Sequence, residues 1–450
     1  MTRITRRDML KRTGLAAGAA ATAHLARGPI LLAGEAQRKR LGVAVVGCGG
    51  MGGYSVREAL KERPVAMVEV DENRMAKIMK EKVKPDLADG LPEPKVFTDY
   101  RKMLDACHKD IDVVLIATPD HNHAPAAIRA IDLGKHTFSQ KPLCHDIREA
   151  YVLAKAAREK KVHTQMGNQR HCGERYRRLC EYIRAGAVGD VTETHTILGR
   201  NFGGSGGRPE AKPVPEGLHW DEWLGPAPFR NYHSGLHPFS WRSWRQFGTG
   251  TIGDMACHHI DAPFWALRLD LAKTFTVECL NSTGGSNEMY PQNNVIRWEV
   301  PARGDFGPVT VYCYDHKGLK PEVMTETEKQ HEREFGEFTL FVGKKGLMGS
   351  DCRIIPEEKH QAFPPPEKTI PRAHGGPISD LYHAIKNDGT PCSNFVDAAG
   401  PLTAFILTGH LAMFTGVGKK LEWDVEKMAC TNVPAANRYV RRTYRKGWEV

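Results

Sequence analysis

The pattern of apolar and polar positions changes character part-way along this 450-residue chain. In "LGVAVVGCGGMGGYSVREAL" the positions Val43 to Gly47 are apolar or tiny without a break, and a glycine-rich turn and a helical pattern follow. "PVAMVEVDEN" supplies a second short buried strand, and "RMAKIMKEK" a basic helix. "DIDVVLIATPDHNHAPAAIRAIDLGKHTFSQKP" reads as strand, polar loop, helix and a short strand from His136 to Ser139. "EAYVLAKAAREKKVHTQMGNQRH" repeats helix, strand and polar loop. Unbroken apolar strands alternating with helices are what a parallel sheet covered on both faces requires. One such α/β domain is predicted over residues 41–165.

Beyond residue 190 the texture shifts. "VTETHTILGRNF", "KTFTVECLNSTG", "NNVIRWEVPA", "PVTVYCYDHKG" and "EFTLFVGKKGLMGSD" alternate, or are rich in β-branched and aromatic residues between Gly, Pro and Asn turns. They predict a second, mainly β unit within residues 166–430, with "GTIGDMACHHIDAPFWAL" as a helix inserted before its later strands. "SDLYHAIKND" and "AAGPLTAFILTGHLAMFTG" read as helices, and residues 431–450 as a tail. The segment 203–240 is rich in Gly, Pro and His, and loops of that length are functional or disordered. Trp220, Trp223 and Trp241, in and beside it, predict that it is ordered.

Charge adds one exclusion. Of the net +10, residues 1–40 hold +7, leaving +3 for the remaining 410 residues. That is too little to argue for a polyanion, so no nucleic-acid partner is expected. In "TRRDMLKRTGLAAGAAATAHLA", Arg6 and Arg7 precede a weakly apolar Ala/Gly run with Lys11 and Arg12 at its boundary. This resembles a twin-arginine export signal over residues 1–36, cleaved after Ala23 or Ala36. Its run from Gly14 to Ala23 would span about 15 Å as a helix, half a bilayer core, too short for an anchor. No later segment approaches 18 uninterrupted apolar residues, so the expected mature protein is periplasmic, without a membrane span, and exported by the twin-arginine machinery. The eleven cysteines are scattered with no CxxC pair, and most are expected to be small core residues.

"GCGGMG" sets Gly47, Gly49 and Gly52 in G-x-G-x-x-G spacing, with Gly50 and Met51 between them. Gly47 permits the tight turn, Gly49 lets backbone approach a pyrophosphate, and Gly52 lets the helix pack on the strand. Asp71 ends the next strand, 19 residues beyond Gly52, where an acid accepts hydrogen bonds from ribose hydroxyls. The reading is a Rossmann domain that binds NAD. Arg74, three residues later, keeps NADP open.

Four further stretches fall at strand ends or enter from the second unit: "ATPDHNH" (117–123), "FSQKP" (138–142), "QMGNQRH" (165–171) and "GTGTIGDMACHHID" (248–261). Asp254 and His258 are four apart, so one helix face carries both. At these residues the chain resembles the Gfo/Idh/MocA oxidoreductases, named for glucose–fructose oxidoreductase and inositol dehydrogenase. The resemblance rests on the glycine loop, "ATPDHNH" with Thr118, Pro119 and His123, the Lys-Pro of "QKP", and the D-x-x-x-H-x-x-D block of Asp254, His258 and Asp261. It implies a Rossmann domain followed by an α/β domain with a large, mostly antiparallel open sheet, which often pairs into homo-oligomers. It also implies oxidation or reduction of a sugar or polyol hydroxyl, with Lys141, Asp254 and His258 catalytic. Gln140 stands where the family has glutamate, and Ala256 where glycine is common.

Moving a hydride from a secondary alcohol requires a group that takes the hydroxyl proton. His258 is expected in that role, with Lys141 stabilising the oxygen and Asp254 orienting substrate or histidine; the roles of Lys141 and His258 are exchangeable at this stage. Replacing glutamate by Gln140 removes a charge and is expected to lower the Lys141 pKa. Asn168 and Arg170 are expected contacts to nicotinamide or substrate. Trp241, Arg242 and Arg245 either line a sugar site or pack. A metal held by Asp254 and His258 with His121 or Asp261 is the weaker alternative, and no metal is assigned. An exported enzyme lacks a pool of dinucleotide, so the cofactor is expected to stay tightly bound. It is then recycled by a second substrate, or by returning the hydride after a glycoside or similar group has been eliminated. A non-catalytic sugar-binding protein is the remaining reading.

Overall fold

A computed structural model describes residues 40–449; the expected export signal over residues 1–36 lies outside them. The first sheet comprises β1 (Gly42–Val46), β2 (Arg63–Val68), β3 (Lys95–Phe97), β4 (Val113–Ile116), β5 (His136–Ser139) and β6 (Thr164–Met166). All pairs are parallel, in the order β3-β2-β1-β4-β5-β6. Its central strands are buried on both faces, which explains their unbroken apolar runs. Register aligns the carboxyl ends: Val46 pairs with Ile116, Ile116 with Ser139, and Ser139 with Met166. The ladder runs one residue further, with Ala117 N–H donating to Val46, Gln140 to Ile116 and Gly167 to Ser139. The glycine loop and the loops after β4, β5 and β6 therefore start side by side on one rim.

The second sheet has nine strands: β7 (Val191–Ile197), β8 (Thr274–Thr283), β9 (Gln292–Val300), β10 (Val309–Tyr314), β11 (Phe338–Gly343), β12 (Gly346–Gly349), β13 (Ile354–Ile355), β14 (Leu421–Asp424) and β15 (Ala429–Cys430). Their order is β13-β12-β11-β7-β10-β9-β8-β14-β15, antiparallel except for β7 beside β10. Alternation in β9 buries Ile296, Trp298 and Val300 and leaves Arg297 and Glu299 on the other face. The buried face packs on the helix Gly400–Thr415, where Trp298 donates to Thr408 at 2.9 Å and stacks on Phe405. Phe395–Thr415 is the one described stretch long and apolar enough to cross a membrane, and 78% of its apolar window is buried inside the protein.

The excursion before the helix Gly250–His259 is ordered by a small core of its own. Trp220 and Trp223 stack at 4.7 Å, Trp223 meets Phe247 at 4.8 Å, and Trp241 and Trp244 join the same cluster. The aromatic signal in the sequence thus marks a packed subdomain. It grips the first domain through Glu72 N–H to the Gly217 carbonyl, His219 N–H to the Val70 carbonyl, and the His219–Glu72 pair.

The C-terminal tail closes back on the first domain. Arg442 pairs with fully buried Glu149 at 2.5 Å, and the Tyr444 hydroxyl donates to the same carboxylate. Glu149 also completes a capping box with Asp146 at the start of the helix Ile147–Lys160. Burial opposes the charge on Arg442, but Glu149, Tyr444 and Asp146 outweigh it and raise its pKa. Glu149→Gln would strand a buried guanidinium. It should cost about 3–5 kcal/mol, measured as a lower denaturant midpoint at unchanged slope.

Candidate active site

A cavity of about 380 Å³ runs along the rim of the first sheet, from the glycine loop to Lys141. At its first end Gly47 turns with φ +82, and a Cβ at Gly52 would sit 2.0 Å from the Gly47 carbonyl oxygen. Neither position tolerates a side chain. The buried Glu69 carboxylate accepts from the Cys48 and Gly49 N–H groups at 3.1 Å. The Gly50 and Met51 N–H groups, ahead of the helix Gly52–Leu60, have no acceptor among the described residues and stay available to a ligand. Arg74 lies over Gly49. Asp71 caps its helix by accepting from Arg74 N–H, and His237 of the excursion meets its other oxygen at 3.2 Å.

The middle of the cavity is bounded by Thr118, Pro119, Asp120 and His123 from the loop after β4. His123 is fully buried, with its ring nitrogens 2.7 Å from the Pro142 carbonyl and 2.8 Å from the Thr118 carbonyl. It braces the two loops against each other. Gln140 accepts from the Lys141 N–H, while its side-chain nitrogen is buried with no partner among the described residues. An unpartnered donor in a cavity wall fits a ligand oxygen such as that of a carboxamide. The glycine cradle, the free N–H groups and this donor together fit a dinucleotide.

At the far end Lys141 Nζ donates to Asp254 Oδ2 at 3.0 Å and to the Asp254 carbonyl at 3.1 Å. Asp254 lies on the helix Gly250–His259 of the second domain, and Arg242 approaches its other oxygen at 3.4 Å. Arg242 is sandwiched by Trp241 and Phe239, each ring centroid 4.3 Å away. Burial opposes the charge on Lys141, but Asp254 outweighs it and raises the pKa above the ordinary lysine value. The charge that governs Lys141 therefore comes from Asp254 rather than from position 140. His258, one turn on, is partly exposed, and its imidazole has no hydrogen-bond partner among the described residues. Burial, and then the charges of Lys141 and Arg170, push it down to about 3, so the imidazole is neutral.

Asp120 lies within "ATPDHNH" but has no role assigned from sequence; it is buried in the cavity wall, where Thr249 Oγ1 donates to it at 2.7 Å. Burial first, and the Asp254 charge second, push its carboxyl up to about 7. The site thus holds a charged lysine, a neutral histidine and a carboxyl poised near neutrality.

Other sequence candidates are engaged with partners of their own. Asn168 donates weakly to Asp261, and Arg170 bonds His259 at 3.0 Å beside Glu337. Asp261 accepts from His171 at 2.8 Å. His121 is buried between Trp223 and Phe247, with both ring nitrogens on backbone carbonyls. Arg245 packs over Phe414. Sequence reasoning also missed Glu69, His237 and Trp448, which line the cavity from three separate segments.

Comparison with known proteins agrees with this architecture. Residues 41–168 match the family profile "Oxidoreductase family, NAD-binding Rossmann fold", and residues 196–286 match "Oxidoreductase family, C-terminal alpha/beta domain". The chain is 30% identical over 166 residues to levoglucosan dehydrogenase of Pseudarthrobacter phenanthrenivorans, covering 36% of this chain and 34% of that protein. It is 32% identical over 104 residues to a glycosyl hydrolase family 109 protein of a Shewanella species, 22% of each. The matches thus span about a third and a fifth of those relatives. Among solved structures, GenD2 from gentamicin A biosynthesis, in complex with NAD, superimposes with TM-score 0.55 at 19% identity, over 86% of this chain and 97% of that one. The two profile matches follow one another as Rossmann and then C-terminal domain, so in both domains the chain is similar to the Gfo/Idh/MocA oxidoreductases.

Proposed function

We propose that this protein is an exported NAD(P)-dependent oxidoreductase acting on a secondary hydroxyl of a sugar, polyol or glycoside. The observation that carries the reading is the charged Lys141–Asp254 pair, its lysine in the wall of a cavity that begins at the glycine loop, with neutral His258 on the same helix as Asp254. Gly50, Met51, Asp71, Arg74, Thr118 and Gln140 are the groups that would hold the dinucleotide. Bound there, it would supply hydride transfer to or from a substrate carbon. His258 takes the hydroxyl proton, Lys141 donates a hydrogen bond to the same oxygen, and Asp254 fixes the lysine. Arg242 and Trp241 contact the sugar. Retention of the cofactor is supported by its walls, since Trp223, His237 and Trp241 of the excursion and Trp448 of the tail border the cavity.

A second reading, redox-neutral cleavage of a glycoside, is favoured by Asp120. Elimination of a glycosidic group needs an acid for the leaving oxygen, and a carboxyl still protonated near neutral pH supplies one. The relatives bear names of both kinds, dehydrogenase and glycosyl hydrolase.

Absorbance near 340 nm after addition of sugars separates the readings. A lasting reduced-dinucleotide signal is the oxidoreductase outcome, and glycoside cleavage without it is the second. Protein that neither carries nor binds dinucleotide rejects both. Lys141→Ala and His258→Ala should each lower turnover by about 10²–10⁴-fold; full turnover in either variant removes it from the mechanism. Asp120 passes from acid to carboxylate as pH rises through about 7. The parent's rate profile should therefore bend there, with acid-assisted cleavage falling above the bend. Asp120→Asn, which does not titrate, should abolish that bend.

A further inference from the structure

Outside the cavity, Cys172 and Cys392 bring their sulfurs to 2.9 Å across 220 residues of sequence. The first ends the helix Gln169–Cys172, which follows Asn168 and carries Arg170 and His171; the second lies in the loop after the helix Pro377–Asn387. Buried Gln165 fixes the pair, its side-chain nitrogen lying 3.3 Å from one sulfur and 3.4 Å from the other while its oxygen accepts from Ser393 N–H. Eight of the eleven cysteines are buried, whereas these two are partly exposed. Cys392 opens into a cleft of about 620 Å³ beside His171 and Asp261. Asp380 is near enough to suggest a metal site, but both of its oxygens are committed, one to His374 N–H at 2.8 Å and one to Cys392 N–H at 2.9 Å. Two sulfurs in contact with each other are suited to oxidation, and zinc is the rival occupant that the test must separate.

We propose that Cys172 and Cys392 form an oxidisable dithiol, converted by a small-molecule disulfide entering this cleft into a bond that ties the helix Gln169–Cys172 to the 390–394 segment. Cys392 is the attacking sulfur, because the hydrogen bond from Cys172, reinforced by His171, lowers its pKa against burial. Its thiolate breaks the disulfide, forming a mixed disulfide and expelling one thiolate. Cys172 then attacks the Cys392 sulfur and expels the second. Two cysteines are oxidised, the small disulfide is reduced to two thiols, and the two cysteine protons pass to them.

The test uses full-length protein, first reduced, then exposed to oxidised glutathione. Thiols counted after denaturation should fall by two from eleven. A digest made without reductant should contain a peptide pair joined at 172 and 392, two hydrogens lighter than its parts. Cys172→Ser should stop at a glutathione adduct on Cys392, and Cys352→Ser should form the cross-link like the parent. Eleven remaining thiols, an adduct on the parent that never resolves, or stoichiometric zinc that blocks oxidation would each overturn the assignment.

Discussion

The charge on Lys141 is the constraint around which the site is organised. A lysine taken out of water needs a carboxylate, and the one that answers it, Asp254, belongs to the other domain. The pair therefore forms only when the helix Gly250–His259 is seated against the rim of the first sheet. Ion pairs removed from water often contribute little net stability, because desolvation offsets the attraction. What this pair supplies is position: a protonated lysine at a fixed place, His258 on the same helix, and enough negative charge nearby to keep Asp120 protonated longer than an ordinary aspartate.

Much of this was legible in the sequence, for physical reasons that can be named. The strands of the first sheet are buried on both faces, so their apolar runs stand out, and register then carries four loops to one rim. The glycine loop was readable because steric exclusion at Gly47 and Gly52 leaves little alternative. Lys141, Asp254 and His258 came from loop position, helical spacing and family resemblance together, and the structure sets them in one region. Asp120 was not legible, because its chemistry comes from burial beside Asp254, a neighbour 134 positions away in the chain. Asn168 and Arg170 were placed by strand-end logic, which predicts the rim but not the direction of a side chain. Asp261 and His259 hold them instead.

The excursion illustrates the same limit from the other side. Its tryptophans predicted order, but not that the order would come from a separate small core clasped to the end of β2. Through His237 it reaches Asp71, the carboxylate expected to meet a ribose. The surroundings of Asp71 are thus shared between the Rossmann domain and a segment inserted in the second domain.

Trp448 follows every other residue of the cavity wall in the chain, and it lies against Arg101 and Tyr100 of the first domain. During synthesis the rest of the cavity wall emerges before Trp448 does. Closure is therefore a late event, and loading has an open route until then.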